Sequence, residues 1–226
     1  MTIQDIQAVQ ELLATSKKIA IIPHRGPDGD AMGSTLALYH FLVKNNNQPV
    51  VIAPNEFPDF LAWLPGSETV EVYEKEREKC TAILKEAELI FTLDFNALHR
   101  TGEMETVLQT LSVPFIMIDH HQKPDDYATV MYSDTQFGST CEMIYNFITY
   151  LGQKSSIDKT IATCIYTGIL TDSGSFRFPK TTGNTHRIVA DLIDLGVENT
   201  VIPTLLFDNS SYNRLQLLGR ALQNMQ

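Results

Sequence analysis

The chain has 226 residues, of which 43% are apolar and 19% are charged, so its composition is that of an ordinary globular protein with a substantial core. A net charge of −10 at pH 7 argues against broad binding to duplex nucleic acid, which requires a basic surface, but not against a short phosphate ester in a local site. Without a membrane-length apolar run or a signal-peptide pattern, we expect a cytoplasmic protein with no membrane partner.

Short apolar runs predict the strands. They cover residues 17–22, 49–53, 89–95 and 114–119, and residues 128–133 could add an edge strand. Helical patterns separate these runs, and strands that alternate with helices are typical of parallel sheets. We therefore predict an α/β fold with a doubly wound, mainly parallel sheet flanked by helices.

Apolar residues at helical spacing predict the helices. In the first half they cover residues 1–14, 31–45, 74–85 and 103–111, with Asp30 as the predicted N-cap of the second. The second half is mostly helical, over residues 139–151, 158–170, 185–195 and 212–225.

Acidic and histidine side chains follow three of the predicted strands. They are His24, Asp28 and Asp30 after the first strand, Asp94 near the end of the third, and Asp119, His120 and His121 at the end of the fourth. Because ligands in open α/β sheets bind beyond the carboxyl ends of the strands, we expect these groups to meet at one edge of the sheet. Asp172, which ends a predicted helix, could close the group from the other side.

Carboxylates and neutral imidazoles suit manganese or magnesium, and the imidazoles favour manganese. Two such ions roughly 3.5–4 Å apart would activate water and neutralise phosphoryl oxygens, with Asp94 as the candidate bridging ligand. An EF-hand starting at Asp28 is excluded because Met32 and Tyr39 stand where that loop needs oxygen ligands. The three cysteines have no CxxC spacing, so we expect reduced thiols in the core.

In this order the motifs resemble those of the DHH phosphoesterase superfamily, which includes RecJ-type nucleases, family II pyrophosphatases, prune-type exopolyphosphatases and the nanoRNase/pAp phosphatases. Residues 26–34, 138–140 and 168–178 look most like the last branch. The resemblance covers most of the chain and implies two metal sites. One would be formed by His24, Asp28 and Asp94, and the other by Asp30, Asp94, His120 and Asp172.

The resemblance also implies the catalytic and substrate-binding residues. His121 would face the substrate phosphate, and Asp119 would orient the neighbouring imidazoles. Arg100 and Arg177 are candidate phosphate contacts. Family members normally continue into a second domain that grips the substrate with a glycine-rich, histidine-containing segment, and the 226 residues contain no such segment.

We therefore expect one DHH domain over residues 1–226, divided into an α/β metal-binding core at 1–135 and a helical remainder at 136–226, with the C-terminal substrate-binding domain absent from the chain. A homodimer is left open. The first functional hypothesis is a manganese-dependent phosphoesterase. Its substrates would be short oligonucleotides or the 3′-phosphate of adenosine 3′,5′-bisphosphate.

Three alternatives stay open for this sequence. Two are enzymes: a pyrophosphatase or exopolyphosphatase, and a cyclic dinucleotide phosphodiesterase. The third is a non-catalytic DHH module that serves as a scaffold. A decayed copy should lose ligands, whereas every expected metal and phosphate-facing position is kept here.

Overall fold

Buried aliphatic residues form a parallel sheet through the middle of the molecule. The computed structural model describes residues 1–15, 17–208 and 212–225, except for the side chain of Arg214. Within these residues the strands are β1 (Lys18–Pro23), β2 (Gln48–Ala53), β3 (Glu71–Val72), β4 (Leu89–Leu93), β5 (Phe115–Asp119) and β6 (Val130–Ser133). They lie in the order β3-β2-β1-β4-β5-β6, and every neighbouring pair is parallel. The predicted parallel α/β sheet is confirmed.

The chain changes direction across the sheet between β1 and β4. From β1 it builds outward through β2 to β3, and then returns to pair β4 with the other edge of β1, where Ile21 lies opposite Phe91. It continues outward through β5 to β6. Such a switch leaves a crevice at the carboxyl ends of the two central strands, which is where ligands bind in open α/β sheets.

The described residues form nine α-helices, several of which cover the two faces of the sheet. They are α1 (Ile3–Leu12), α2 (Gly29–Lys44), α3 (Arg77–Glu86), α4 (Glu105–Leu108), α5 (Thr140–Tyr150), α6 (Lys159–Asp172), α7 (Gly183–Asp194), α8 (Val201–Pro203) and α9 (Tyr212–Gln223). Helices α2, α5, α6 and α7 contribute to one apolar core, and α3 and α4 to the other. Alternate residues of β1 serve the two cores, since Ile21 belongs to the first and Ile22 to the second.

Two predicted boundaries are wrong. The N-cap of α2 is Asp28, not Asp30, because Asp28 has extended backbone angles and its carboxylate accepts the amide hydrogens of Asp30 and Ala31. The helix predicted over residues 103–111 is shorter than expected, because only the single turn of α4 (Glu105–Leu108) is α-helical, and a 3-10 segment over Leu98–Met104 precedes it. Gly102 interrupts that segment with φ +62°. The two-residue strand β3 was not predicted.

Helices α2 and α6 cross at two glycines. A Cβ atom on Gly33 would lie 2.6 Å from the carbonyl oxygen of Cys164 in α6, and one on Gly168 would lie 2.7 Å from Oδ1 of Asp30 in α2 and 2.2 Å from Sγ of Cys141 in α5. Only glycine allows the two backbones to approach this closely. The crossing sets the separation of Asp30, in the first turn of α2, from Asp172, at the end of α6.

All three cysteines are buried free thiols, as predicted. Among the described residues, each helix is too short or too polar to span a lipid bilayer. The cytoplasmic location and the assembly state stay predictions.

Candidate metal centre

The carboxyl ends of β1, β4 and β5 bring the predicted ligands together. His24 follows directly after β1, Asp94 follows β4, and His120 follows β5. Asp94 has a left-handed backbone with φ +66°, a region that aspartate tolerates better than most residues, and its amide donates to the carbonyl oxygen of Ile118 on β5. The turn holds Asp94 at the switch point of the sheet.

Asp94 lies at the centre of the cluster. Its Oδ2 atom is 3.5 Å from Nε2 of His24, and its Oδ1 atom is 3.4 Å from Nε2 of His120. The hydroxyl of Thr140 donates to Oδ1 at 2.9 Å. Only 2% of Asp94 is exposed. Each carboxylate oxygen therefore faces a different imidazole, which is the arrangement expected of a ligand shared by two ions.

Two groups of ligand atoms meet at Asp94, which belongs to the first group and faces His120 of the second. In each group the ligand atoms lie within 4.8 Å of one another. The first group is His24, Asp28 and Asp94, and the second is Asp30, His120 and Asp172. The structure thus brings together all six residues that the sequence predicted as metal ligands. A third group overlaps them and contains Asp94, His120 and His121.

Asp28 and Asp30 have different surroundings although they are two residues apart. Asp28 caps α2 and leaves 58% of its side chain exposed toward the crevice. Asp30 is buried and accepts hydrogen bonds from the backbone amides of Thr140 and Cys141 at 2.6 and 2.9 Å. Those amides belong to the first turn of α5, whose orphan donors and positive dipole end favour an anion. The buried carboxylate is therefore held in a fixed orientation.

The contacts of Thr140 and Cys141 were missed by sequence reasoning. The segment 138–140 resembles a family motif, but nothing in the sequence places it against Asp30, 110 residues earlier. A usable signal was present in Ser139 and Glu142, whose spacing is typical of a helix start. Ser139 is indeed the N-cap of α5.

Burial and neighbouring charged groups shift the pKa values of Asp30, Asp94 and Asp172. Burial raises the pKa of Asp30 well above its ordinary value, and Asp94 and Asp172 add to this effect. Burial, followed by Asp94, raises the pKa of Asp172 to about 6. Burial also acts upward on Asp94, but hydrogen bonds with His120 and His24 outweigh it and hold the pKa of Asp94 below its ordinary value. The carboxylates of the cluster therefore carry more negative charge than the neighbouring imidazoles offset.

The donor set fits divalent ions. In the described parts of the chain, the ion pairs of Asp30, Asp94 and Asp172 reach imidazoles, and no lysine or arginine joins them. Buried carboxylates need a cation or a proton. Hard oxygen ligands with imidazole nitrogens match manganese or magnesium, and the buried thiols lie outside the set.

Asp119 contacts one of the two neighbouring imidazoles. Its Oδ1 atom is 2.7 Å from Nδ1 of His121, while its Oδ2 atom and Nδ1 of His120 have no hydrogen-bond partner among the described residues. Asp119 is fully buried, whereas 41% of the His121 side chain is exposed. The structure therefore pairs Asp119 with His121 alone, and the ring of His121 faces the open side of the cluster.

The two predicted arginine contacts are not among the ligand groups. Arg177 is exposed, and its Nε atom donates to the carbonyl oxygen of Gly174 at 2.6 Å. Arg100 is exposed as well, and its carbonyl oxygen accepts the amide hydrogen of Arg25. Their role as phosphate contacts stays a prediction.

A sequence model of the DHH family, N-terminal domain, matches residues 18–169. The chain belongs to the DHH family. The matched range contains every candidate ligand of this DHH domain except Asp172.

Known proteins resemble this DHH chain in sequence, in fold or in both. The bifunctional oligoribonuclease and PAP phosphatase NrnA of Thermus thermophilus is 32% identical over 225 residues, which make up 98% of this chain and 64% of that protein. The crystal structure of an exopolyphosphatase-related protein from Bacteroides fragilis has a TM-score of 0.97 and 37% identity, covering 100% of this chain and 66% of that one. Exonuclease RecJ, solved with manganese, shares the fold with a TM-score of 0.52 and 13% identity, covering 97% of this chain and 64% of RecJ. The chain thus spans about two thirds of the length of these proteins.

Proposed function

We propose that this DHH chain forms the two-metal centre of a phosphoesterase that acts on short oligoribonucleotides, on the 3′-phosphate of adenosine 3′,5′-bisphosphate, or on both. The observation that carries the proposal is the position of Asp94. One of its carboxylate oxygens faces His24 of the first ligand group, and the other faces His120 of the second. The name of the Thermus thermophilus relative supports this choice of substrates. The ligand atoms support manganese over magnesium, since imidazoles join the carboxylates.

The ligands divide between the two ions in this proposal. One ion takes His24, Asp28 and Asp94, and the other takes Asp30, Asp94, His120 and Asp172. Bound divalent ions would neutralise phosphoryl oxygens and activate a water molecule for attack on phosphorus. The amides at the start of α5 hold Asp30 in place, so this ligand needs little reorganisation when substrate arrives.

His121 and Asp119 are proposed to act on the substrate side. Asp119 accepts a hydrogen bond from Nδ1 of His121, so Nε2 on the exposed face would donate to a phosphoryl oxygen when the ring is the imidazolium cation, in which both nitrogens carry a proton. Residues 1–226 act as one DHH domain in this proposal, since α5, α6 and α7 share an apolar core with the sheet. That the substrate-binding domain is absent from these residues stays a prediction.

The metal centre is tested by titrating Mn²⁺ into the purified chain by calorimetry. We expect about two ions per chain for the wild type. Asp94→Asn keeps the side-chain volume but removes the shared charge, so binding at both sites should weaken by an order of magnitude or more. Asp194→Asn, which changes an exposed acid at the end of α7, is the matched control and should bind like the wild type. Equal binding by all three proteins would rule out this assignment.

The substrate class is tested with three compounds side by side. Adenosine 3′,5′-bisphosphate, a diribonucleotide and pyrophosphate are incubated with the manganese-loaded chain, and release of phosphate or mononucleotide is measured. We expect the two nucleotides to be hydrolysed and Asp94→Asn to be inactive. Hydrolysis of pyrophosphate alone would instead favour the pyrophosphatase alternative that the sequence leaves open.

A further inference from the structure

A pocket of about 450 Å³ opens beside the second ligand group. His120 and Asp172 form the side nearest the metal ligands. The start of α5, the end of α6 and the segment 173–181 form the remaining sides. The volume lies within the range of small-molecule sites, about 300–1,000 Å³. A molecule whose phosphate lies on the metal ligands would therefore have space here for its next chemical group.

An aromatic ring lies at this pocket. Phe178 lines it together with Ile169 and Pro179, and 55% of Phe178 is exposed. The ring packs against Gly174, where an added Cβ would come within 2.6 Å of the ring atoms. A single exposed apolar side chain is ordinary, but the ring of Phe178 borders a pocket that lies beside metal ligands.

The backbone that carries Phe178 is strained. Ser175 and Phe176 have φ of +60° and +64°, a left-handed region that residues other than glycine seldom adopt. Hydrogen bonds to Ser173 hold this turn, from the amide of Phe176 to Oγ at 2.9 Å and from the amide of Phe178 to the carbonyl oxygen at 3.0 Å. Backbone strain of this kind is found mostly at active sites and ligand sites. It persists there because the surrounding structure holds the residues in place despite the energetic cost.

The charges of the pocket decide what can enter it. Among the described residues that line the pocket, Lys180 has the one ammonium or guanidinium group, while Glu142 and Asp172 have carboxyl groups. With Asp172 assigned to the metal, a second phosphate or a polyphosphate chain would meet one carboxyl group and one ammonium group, so the pocket offers no excess of positive charge to hold it. A flat, uncharged, aromatic group would instead lie against Phe178, Ile169 and Pro179.

We propose that this pocket binds the nucleobase of the nucleotide whose phosphate lies on the metal ligands, with Phe178 as the stacking surface. The inference rests on the proposed function and makes Phe178 a specificity-determining residue. Stacking on an aromatic side chain tolerates every base, since each base has a flat π-face. The pocket would therefore distinguish nucleotides from pyrophosphate and from phosphate esters without a base.

The test compares two ligands that differ only in the base. Binding of AMP and of ribose 5-phosphate to the full chain is measured by calorimetry with Mg²⁺ present. We expect the wild type to bind AMP about tenfold more tightly, as one stacked base provides. Phe178→Ala should reduce this preference to about twofold or less, while the affinity for ribose 5-phosphate stays the same. Phe178→Tyr keeps an aromatic ring and should keep the preference.

Phe207→Ala is the matched control. Phe207 is half-exposed like Phe178 but does not line the pocket, so its loss should leave the preference unchanged. Equal binding of AMP and ribose 5-phosphate by the wild type would overturn the inference, and so would a preference that survives in Phe178→Ala. A preference that depends on Phe178 in a chain that hydrolyses no nucleotide would support the base pocket and contradict the proposed function. Hydrolysis of nucleotides by a wild type that shows no preference for AMP would support the proposed function and contradict the base pocket.

Discussion

Asp94 shows how one residue can serve two ligand groups. It follows the last residue of β4, where the left-handed backbone turns its carboxylate into the crevice between His24 and His120. A buried carboxylate in this position would be unfavourable without partners, and its neighbours supply two imidazoles and one hydroxyl. The hydroxyl of Thr140 therefore acts as a positioning group, because it fixes the orientation of Oδ1.

The role of Thr140 can be measured with Thr140→Val. Valine matches the shape of threonine but cannot donate to Oδ1 of Asp94, so the affinity for Mn²⁺ should fall about tenfold, as is typical when a partner of a metal ligand is lost. Thr140→Ser keeps the hydroxyl and should bind nearly as well as the wild type. Competition with a chelating dye gives the affinities. If valine and serine weaken binding equally, packing of the threonine methyl group is responsible and the hydrogen bond is not.

Glu142 offers a pH-dependent prediction away from the metal ligands. Burial raises its pKa above the ordinary value, although hydrogen bonds from Thr185, Asn184 and the Gly138 backbone oppose this shift. An acid with a raised pKa in the folded state destabilises the fold once it must ionise. The penalty is absent at low pH, where the acid is protonated in both the folded and unfolded states. It grows as pH rises from the unfolded value toward the raised folded value, and stays constant above that.

Glu142→Gln should therefore gain stability relative to the wild type as pH rises from about 4 to 8. Urea unfolding in the presence of a chelator measures this difference without interference from metal binding. Glu11→Gln, an exposed substitution in α1, should show little pH trend in the same experiment. A flat difference between wild type and Glu142→Gln across the range would contradict the raised pKa.

At the scale of elements, the start of α2 shows what sequence reasoning can and cannot resolve. Asp28 and Asp30 are both good N-cap residues, and sequence alone favoured the later one. The structure gives the cap to Asp28, because Asp30 turns inward to the amides at the start of α5. That partner lies 110 residues away in sequence, so no local pattern could reveal it. The residue types of the site were predictable from strand ends, but their contacts depended on helix packing.

The crossing of α2 and α6 gives the next prediction. Gly168→Ala would place a Cβ atom 2.2 Å from Sγ of Cys141 and 2.7 Å from Oδ1 of Asp30, so the helices must separate. We expect a loss of about 1–3 kcal/mol in the free energy of unfolding. Affinity for Mn²⁺ should fall as well, since Asp30 is displaced.

Gly219→Ala is the control for this substitution. Gly219 lies in α9, and an added Cβ there meets nothing within 4 Å, so alanine should be neutral or stabilise the helix by up to about 1 kcal/mol. Chemical unfolding with and without Mn²⁺ separates the two effects. Wild-type stability in Gly168→Ala would show that the crossing is not tightly packed.

For the whole molecule, the alternation of apolar runs and helical patterns was enough to predict the parallel sheet and the edge that carries the site. The predicted runs match β1, β2, β4, β5 and β6 to within a few residues. Strand β3 has two half-buried residues, so it lacks the apolar run by which the others were recognised. The sequence singled out residues 168–178 by resemblance, but it did not reveal the strained turn at Ser175 and Phe176 or the exposed ring of Phe178 at the pocket.

Metal binding should also stabilise the molecule as a whole. The metal-free centre collects buried carboxylates, and ions that bind only the folded state raise its stability by mass action. At a concentration of Mn²⁺ 100 times the dissociation constant, one site contributes about 2.7 kcal/mol, or a rise in the thermal midpoint of about 5–10 °C for a chain of this size. A chelator should reverse the rise.

The net charge of −10 provides a competing explanation, since Mn²⁺ could also collect weakly on the acidic surface. The melting curves are therefore measured in about 0.2 M salt, which screens exposed charges over roughly 8 Å or less but affects a buried site little. Asp94→Asn should lose most of the Mn²⁺-dependent rise, while Asp194→Asn should keep it. An equal rise in both variants would assign the stabilisation to the surface charge, because the buried centre depends on Asp94 and the surface does not.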